Sequence, residues 1–273
     1  MNTLSTDAIR LHGDYITRDD AGYDEARQAW NLAVDQRPAA VALPQTANDV
    51  AAIVRHARAN GLRVAAQGTG HNSHPLAHEL DDTVLVKTHR MRDVEIGPVT
   101  CRARVGAGAL WIDVTVPAGE HNLAPLAGSS PDVGVVGYSL GGGISWLGRR
   151  YGLSANSVLA VELVDADGEH VRASADENPE LFWALRGGGG SFGVVTAMEI
   201  ALYPADELYA GWLIFPIERA AEVLPAWREW VRDVPDEVTS VGRFLQVPPL
   251  PEIPEPVRGR RLVVVEATML MSE

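Results

Sequence analysis

The stretch GSSPDVGVVGYSLGGGISWLGRRYG, residues 128–152, is the richest glycine segment of this 273-residue chain. Glycine lacks a Cβ, so the main chain can turn tightly there and another group can come close to it. Part of the stretch, GISWLGRR at residues 143–150, is spaced almost like a phosphate-binding P-loop. Arg149-Arg150 stands where that loop needs Lys-Ser/Thr, so the phosphate cation is of the wrong kind and the magnesium hydroxyl is missing. Downstream, GGGSFG (188–193) matches G-x-G-x-x-G, but the pattern predicts a helix before it, Pro179 to Arg186, and a strand after it, Val194 to Leu202. The dinucleotide fingerprint needs strand then helix. A glycine-rich helix-to-strand turn fits better.

Upstream, AAQGTGHNSH (65–74) sets His71 directly behind two glycines. Thr46 with Asp49 three residues on resembles a capping box, and Val50, Ile53, Val54 and Ala57 form one apolar stripe, so a helix runs to Asn60-Gly61. Leu62 to Ala66 then reads as a strand, which makes Gln67 to His71 the loop after it. Three roles stay open for His71 at this point. It can be a turn residue bonded within its own loop, a metal ligand with His74, His78 and Glu79, or the attachment point of a cofactor. Pro75 interrupts any helix that would align the three histidines.

Thr83 to Lys87 and Thr100 to Val105 are predicted as strands, the second carrying Cys101, and Trp111 to Val116 as a short helix stopped by Pro117. Val158–Val164 and Glu169–Ala173 read as a hairpin around Asp165-Ala166-Asp167-Gly168. Asn178-Pro179 reads as N-cap and first turn of a helix. After Tyr203-Pro204 the character changes. A strand (Trp212–Phe215), a helix carrying Ala221, Leu224, Trp227 and Val231, and strands at Val238–Leu245 and Arg261–Ala267 follow, the last two joined by the proline-rich PPLPEIPEP (248–256). Short strands with a few helices and no regular βαβ rhythm indicate α+β. The domains are expected at residues 1–204 and 205–273.

The chain is 46% hydrophobic and 22% charged, which suits a buried core, and its formal net charge of -13 speaks against a nucleic-acid or anionic-membrane partner. Cys101 is the only cysteine, which excludes an intrachain disulfide and a multi-cysteine metal site. The first twenty residues lack the pattern of a secretory signal, and no apolar run reaches membrane-spanning length. A soluble, cytoplasmic protein is the expectation.

The run RPAAVALPQTANDVAAIVRHARANGLRVAAQGTGHN (37–72), followed by residues 128–204, resembles the FAD-binding domain of the vanillyl-alcohol-oxidase superfamily (PCMH type). It is most similar to the berberine-bridge-enzyme-like oxidoreductases. The resemblance spans about residues 23–204, with several blocks in the family's order. It implies a two-subdomain α+β FAD-binding domain followed by part of an antiparallel-sheet substrate domain. It also implies that the loop Gly68, Thr69, Gly70, His71 and Asn72 wraps the FAD pyrophosphate, with backbone N–H groups as the anion nest. In such proteins the matching histidine is commonly joined to the flavin's 8α-methyl carbon. A second flavin-contacting loop is implied at Ser129, Ser130, Val133, Gly134, Gly137, Tyr138, Gly141, Gly142 and Gly143, and a flavin-flanking backbone at Val195.

Two departures concern single residues. Ser130 stands where many members carry a cysteine that makes a second flavin bond, and Tyr138 stands where a histidine is frequent. A third concerns length, because relatives continue well beyond this sequence to finish the substrate domain, including a tyrosine-bearing motif with no counterpart here. The implied function is an FAD-dependent, oxidase-like oxidoreductase, monocovalent through His71. It passes a hydride from an alcohol or activated C–H substrate to flavin and then to oxygen, and valine at 133 is associated with oxygen access. No general base can be named. The alternatives are a non-catalytic flavin-binding remnant, half of a split enzyme, and a His-rich metal protein. Strand Arg261–Ala267 is expected to show an unpaired edge and apolar side chains, favouring self-association or a complementing chain.

Overall fold

In the computed structural model, which describes residues 9–76, 78 and 80–271, the capping box forms as its spacing requires. The Thr46 side chain accepts from Asp49 N, and the Asp49 carboxylate accepts from Thr46 N, opening the helix Ala47–Ala59. That carboxylate also accepts from the backbone N–H groups of Gln45 and His12. Burial alone would raise the Asp49 pKa, but these donors outweigh it and hold the carboxyl below its usual range. The stability it contributes is therefore present above the ordinary carboxylate pKa and is lost as pH falls toward the depressed folded value. Asp49→Ala is expected to cost about 3 kcal/mol, since it removes a cap and strands several donors. A shift of the denaturant midpoint corresponding to less than about 1 kcal/mol would contradict this account.

The described chain divides into two compact units, one holding residues up to Ile144 with Leu153–Tyr203, the other Ser145–Gly152 with residues from Pro204 onward. The first unit contains two sheets. In one, the strands run in the order Asp14–Thr17, Ala40–Leu43, Thr83–Lys87, Arg63–Gln67, the last three mutually parallel. The helix Ala47–Ala59 connects Ala40–Leu43 to Arg63–Gln67, a single βαβ unit. The other sheet is antiparallel, in the order Val94–Gly97, Arg102–Gly106, Val194–Ala201, Val158–Val164, His170–Ser174. The stripe Val50, Ile53, Val54 and Ala57 is buried in one cluster with Ala42, Val84 and Val86 of the first sheet and Val164 and Val194 of the second. Each fully buried Val or Ile there stabilises the unit by about 2 kcal/mol.

Three local expectations need correction. Cys101 is not on a strand: it sits at φ 49° in the turn between Val94–Gly97 and Arg102–Gly106, whose pairing makes residues 98–101 a hairpin turn. The helix beginning at Trp111 runs through Pro117 to Gly119, carried by the fully buried Val114 and Ala118. Asn178 does not cap with its side chain. It adopts the left-handed conformation (φ 50°, ψ 53°) that asparagine tolerates, and its Nδ2 donates to Arg172 O. The hairpin at Asp165 forms as read, with Asp165 Oδ1 accepting from the N–H groups of Asp167 and Glu169.

The second unit is a three-stranded antiparallel sheet, Glu207–Pro216, Arg261–Met271, Val238–Gln246, carrying the helix Ala220–Asp233. Strand Arg261–Met271 was expected at an edge. It lies at the centre and pairs on both sides, so the free edges belong to its neighbours. Trp227 explains how the helix sits: its indole lies where a Cβ on Gly242 would be only 2.9 Å away, and its Nε1 donates to Ser240 Oγ at 2.9 Å. On the outer strand Glu207–Pro216, Tyr209, Trp212 and Leu213 are exposed. Among the described residues, no helix is long and apolar enough to cross a membrane.

Candidate functional site

Gln67 ends its strand, and the chain then turns at Gly70, φ 84°. A Cβ on Gly70 would lie 2.8 Å from Ala29 Cβ and 2.9 Å from Gln67 Nε2, so packing within the protein demands glycine. Gly68 differs, because no protein atom lies within 4 Å of where its Cβ would be. Thr69 Oγ1 is 2.7 Å from His71 Nδ1, and Thr69 O accepts from Trp30 N at 3.0 Å. The Trp30 indole stacks on the His71 ring, centroids 4.0 Å apart and planes 16° apart.

The second glycine segment meets this loop. A Cβ on Gly134 would come within 3.8 Å of Thr69 Cγ2 and 4.0 Å of Thr69 N. Asp132 joins the two segments electrostatically. Its Oδ1 accepts from Ser130 Oγ at 2.7 Å, its Oδ2 accepts from Trp30 Nε1 at 3.0 Å, and the same Oδ2 lies 3.9 Å from His71 Nε2. The Ser130 hydrogen bond, ahead of the backbone, Trp30 and His71, holds the Asp132 carboxyl below its usual range.

The segment is anchored by Trp111 N donating to Val133 O and Val135 N donating to Ala109 O, each at 3.0 Å. Tyr138 packs edge-on against buried Trp111 (5.6 Å, 88°) and donates its hydroxyl to Ile144 O. Tyr138 fills the space left by Gly128 and Gly143: a Cβ on Gly128 would come within 2.5 Å of its hydroxyl oxygen, and one on Gly143 within 2.5 Å of its ring. Gly137 faces open space, and a Cβ on Gly142 (φ 111°) would have nothing closer than Leu153 Cδ1 at 3.9 Å. A Cβ on Gly141 would meet Gly137 O at 3.3 Å. Ser129 and Asn72 are exposed. Val195, from strand Val194–Ala201, shares a hydrophobic cluster with Val133, Val135, Tyr138 and Trp111.

The first loop also carries buried polar atoms with no hydrogen-bond partner in the protein: Gln67 Nε2, His71 Nε2 and Ser73 Oγ. Buried polar groups nearly always find partners. A ligand rich in phosphate and hydroxyl oxygens suits such a set, together with the open face at Gly68. Lys87, paired in register with Gln67, is committed elsewhere. Its Nζ donates to Ala26 O and Gln28 O, and burial pushes its pKa down. Any anion at this loop would therefore meet backbone N–H groups rather than that ammonium.

Sequence reasoning did not single out Trp30 or Asp132. Ser130-Pro131-Asp132 carries a turn signal that could have pointed to Asp132, whereas nothing near Trp30 does. The metal reading finds no support in the described residues, which contain no group of three or more His, Cys, Asp or Glu able to hold an ion. His74 is exposed in the turn His74–Leu76, and Glu79 lies outside the described residues. The P-loop near miss is tied up within the second unit, where Arg149 donates to Val234 O and Asp236 and Arg150 pairs with Glu237. GGGSFG follows a helix and precedes a strand, as its surroundings predict. Gly193 is needed there because a Cβ would come within 2.5 Å of Val164 O.

In the second unit, a cavity of about 650 Å³ lies between the helix and the strand Glu207–Pro216. Its walls include Tyr209, Leu213, Phe215, Trp227 and Trp230, with Arg219 and Glu222 paired at 2.6 Å.

Residues 38–174 match the family model described as an FAD binding domain. The chain is 33% identical over 241 residues to (R)-6-hydroxynicotine oxidase of Paenarthrobacter nicotinovorans, covering 87% of this chain and 52% of that protein. The crystal structure of 6-hydroxy-D-nicotine oxidase from Arthrobacter nicotinovorans superposes with a TM-score of 0.84 at 31% identity, covering 98% of this chain and 57% of that one. A BBE-like protein of Physcomitrella patens gives a TM-score of 0.83 at 25% identity, covering 96% and 55%. The chain thus spans about half the length of the relatives it matches.

Proposed function

This chain belongs to the FAD binding domain family of FAD-linked oxidoreductases, and on that premise we propose that it holds FAD between residues 67–72 and 128–143, covalently through His71. The observation that carries this reading is the meeting of the two glycine segments at Thr69 and Gly134, beside the unpartnered Gln67, His71 and Ser73 atoms. FAD, when bound, supplies the acceptor for a hydride from an alcohol or activated C–H carbon and passes the electrons to dioxygen as peroxide. The protein's part is orientation. Gly68 and Gly137 leave the backbone open, the loop N–H groups meet the pyrophosphate, and Ser73 and Gln67 supply hydrogen bonds. Val133 presents small apolar surface, which suits oxygen access and oxidase behaviour, and Val195, buried in the same hydrophobic cluster, supplies flanking backbone. The domain assignment proposed from this is FAD binding over residues 1–204 and part of a substrate domain over 205–273.

Purified protein should show flavin absorption, and Gly68→Ala separates the cofactor role from the fold. An added methyl meets no protein atom there, so denaturant stability should change by less than about 0.5 kcal/mol. FAD affinity should nevertheless fall clearly, because the methyl fills the approach to the backbone. Wild-type affinity in Gly68→Ala, or a folded wild type that never takes up FAD, would defeat the proposal.

A second reading, half of a split enzyme, is favoured by the exposed Tyr209, Trp212 and Leu213 on the second unit's sheet. Apolar surface of this kind is normally covered by protein. Sedimentation velocity should show self-association that weakens in Trp212→Ser, or a complex with a complementing chain. A monodisperse, highly stable monomer would argue against it.

A further inference from the structure

Each ring nitrogen of His71 faces a different polar group, and the one carboxylate among them is aimed by two directed hydrogen bonds. A neutral imidazole carries its proton on one nitrogen, and its neighbours choose which. The Nδ1 of His71 faces the Thr69 hydroxyl at 2.7 Å, a partner that can either donate or accept. Its Nε2 is buried, has no hydrogen-bond partner, and lies 3.9 Å from Asp132 Oδ2. A carboxylate attracts an N–H and repels a nitrogen lone pair. It therefore favours the proton on Nε2, which leaves the Thr69 hydroxyl to donate to Nδ1. Asp132 is itself aimed, with Ser130 Oγ on one oxygen and Trp30 Nε1 on the other, while the Trp30 ring stacks against the imidazole and sets its plane.

We infer that Asp132, oriented by Ser130 and Trp30, is a positioning residue that keeps His71 in the Nε2–H form, so that Nδ1 carries the lone pair and becomes the nucleophile once the rotatable Thr69 hydroxyl turns its hydrogen away. Ser130 thereby acquires a use of its own at the position where the resemblance places a second flavin attachment. The consequence for attachment rests on the FAD reading above; the tautomer does not. Attachment exchanges one hydrogen of the flavin 8α-methyl group for a bond from its carbon to Nδ1. That hydrogen and the imidazole N–H proton, with the two electrons released, leave on dioxygen as hydrogen peroxide. Asp132 stands where the Nε2 proton departs.

The test begins on full-length protein produced in flavin-depleted cells, with long-range proton–nitrogen NMR of the imidazole nitrogens. Wild type should show His71 as the Nε2–H form, whereas Asp132→Ala should populate the Nδ1–H form with Thr69 as acceptor. Ser130→Ala and Trp30→Phe, which keep the carboxylate and the stacking ring respectively, should shift the balance less. On adding FAD, Asp132→Ala should slow the appearance of acid-stable flavin by at least about tenfold. Non-covalent FAD affinity, measured in a His71→Ala background, should stay within about threefold, which a general loop collapse would not allow. An unchanged tautomer in Asp132→Ala overturns the inference, and so does attachment at the wild-type rate. If FAD never binds but the tautomer shifts as described, the cofactor reading falls and the positioning role stands.

Discussion

Acid-precipitated wild-type protein is expected to keep its flavin in the pellet, and His71→Ala to release essentially all of it into the supernatant. A flavin held only by contacts depends on the turn at Gly70 and the meeting of Thr69 with Gly134, and unfolding abolishes both. A bond from carbon to imidazole survives unfolding. Peptide mass spectrometry should place the modification on His71 and not on Ser130. A serine hydroxyl is a far weaker nucleophile than a cysteine thiolate near neutral pH, and the Ser130 hydroxyl donates to Asp132. If all wild-type flavin appears in the acid supernatant, the loops can still be an FAD site, but the covalent role of His71 has to be given up.

Gly143→Val should be the most damaging single change near the second glycine segment, costing about 3–5 kcal/mol in urea unfolding. Two effects act together. The backbone stands at φ 74°, a region where a β-branched residue is badly strained. The new Cβ would also lie 2.5 Å from the Tyr138 ring and 2.7 Å from Ser154 Cβ, neither of which is the free end of a flexible side chain. Tyr138 would have to leave its place against Trp111 and give up its hydrogen bond to Ile144 O. Gly142→Ala is the control. It shares the positive φ but meets nothing closer than 3.9 Å, so only the backbone cost of about 1–2 kcal/mol should register. Similar losses for the two variants would show that the Tyr138 contact contributes little.

Determinants confined to a few neighbouring residues were legible without coordinates. The Thr46–Asp49 capping box, the stripe from Val50 to Ala57, the Asp165 hairpin turn and the helix-to-strand order around GGGSFG all depend on groups within one or two turns of chain. Local sterics and hydrogen bonding decide such features. The glycine-rich segments were legible as loops and turns as well, since a missing Cβ leaves its mark in the sequence. What each glycine is for was not. Gly70 and Gly143 are required by side chains of the protein itself, whereas Gly68 and Gly137 face open space. That distinction exists only once Ala29, Gln67 and Tyr138 have been brought alongside.

The remainder was decided by contacts between segments far apart in the chain, whose formation depends on how whole sheets pack. Trp30 reaches Asp132 across 102 residues, and no local pattern reports a hydrogen bond of that separation. Strand Arg261–Met271 follows its two partners in sequence yet lies between them; at 11 residues it is the longest of the three, so a central position lets both neighbours pair along their whole length. The residues of the turns, caps and loops can thus be read from the sequence by itself. Which of those residues face His71, and with which atoms, is set by tertiary structure, since hydrogen-bond geometry to a ring nitrogen is fixed only when both segments are in place.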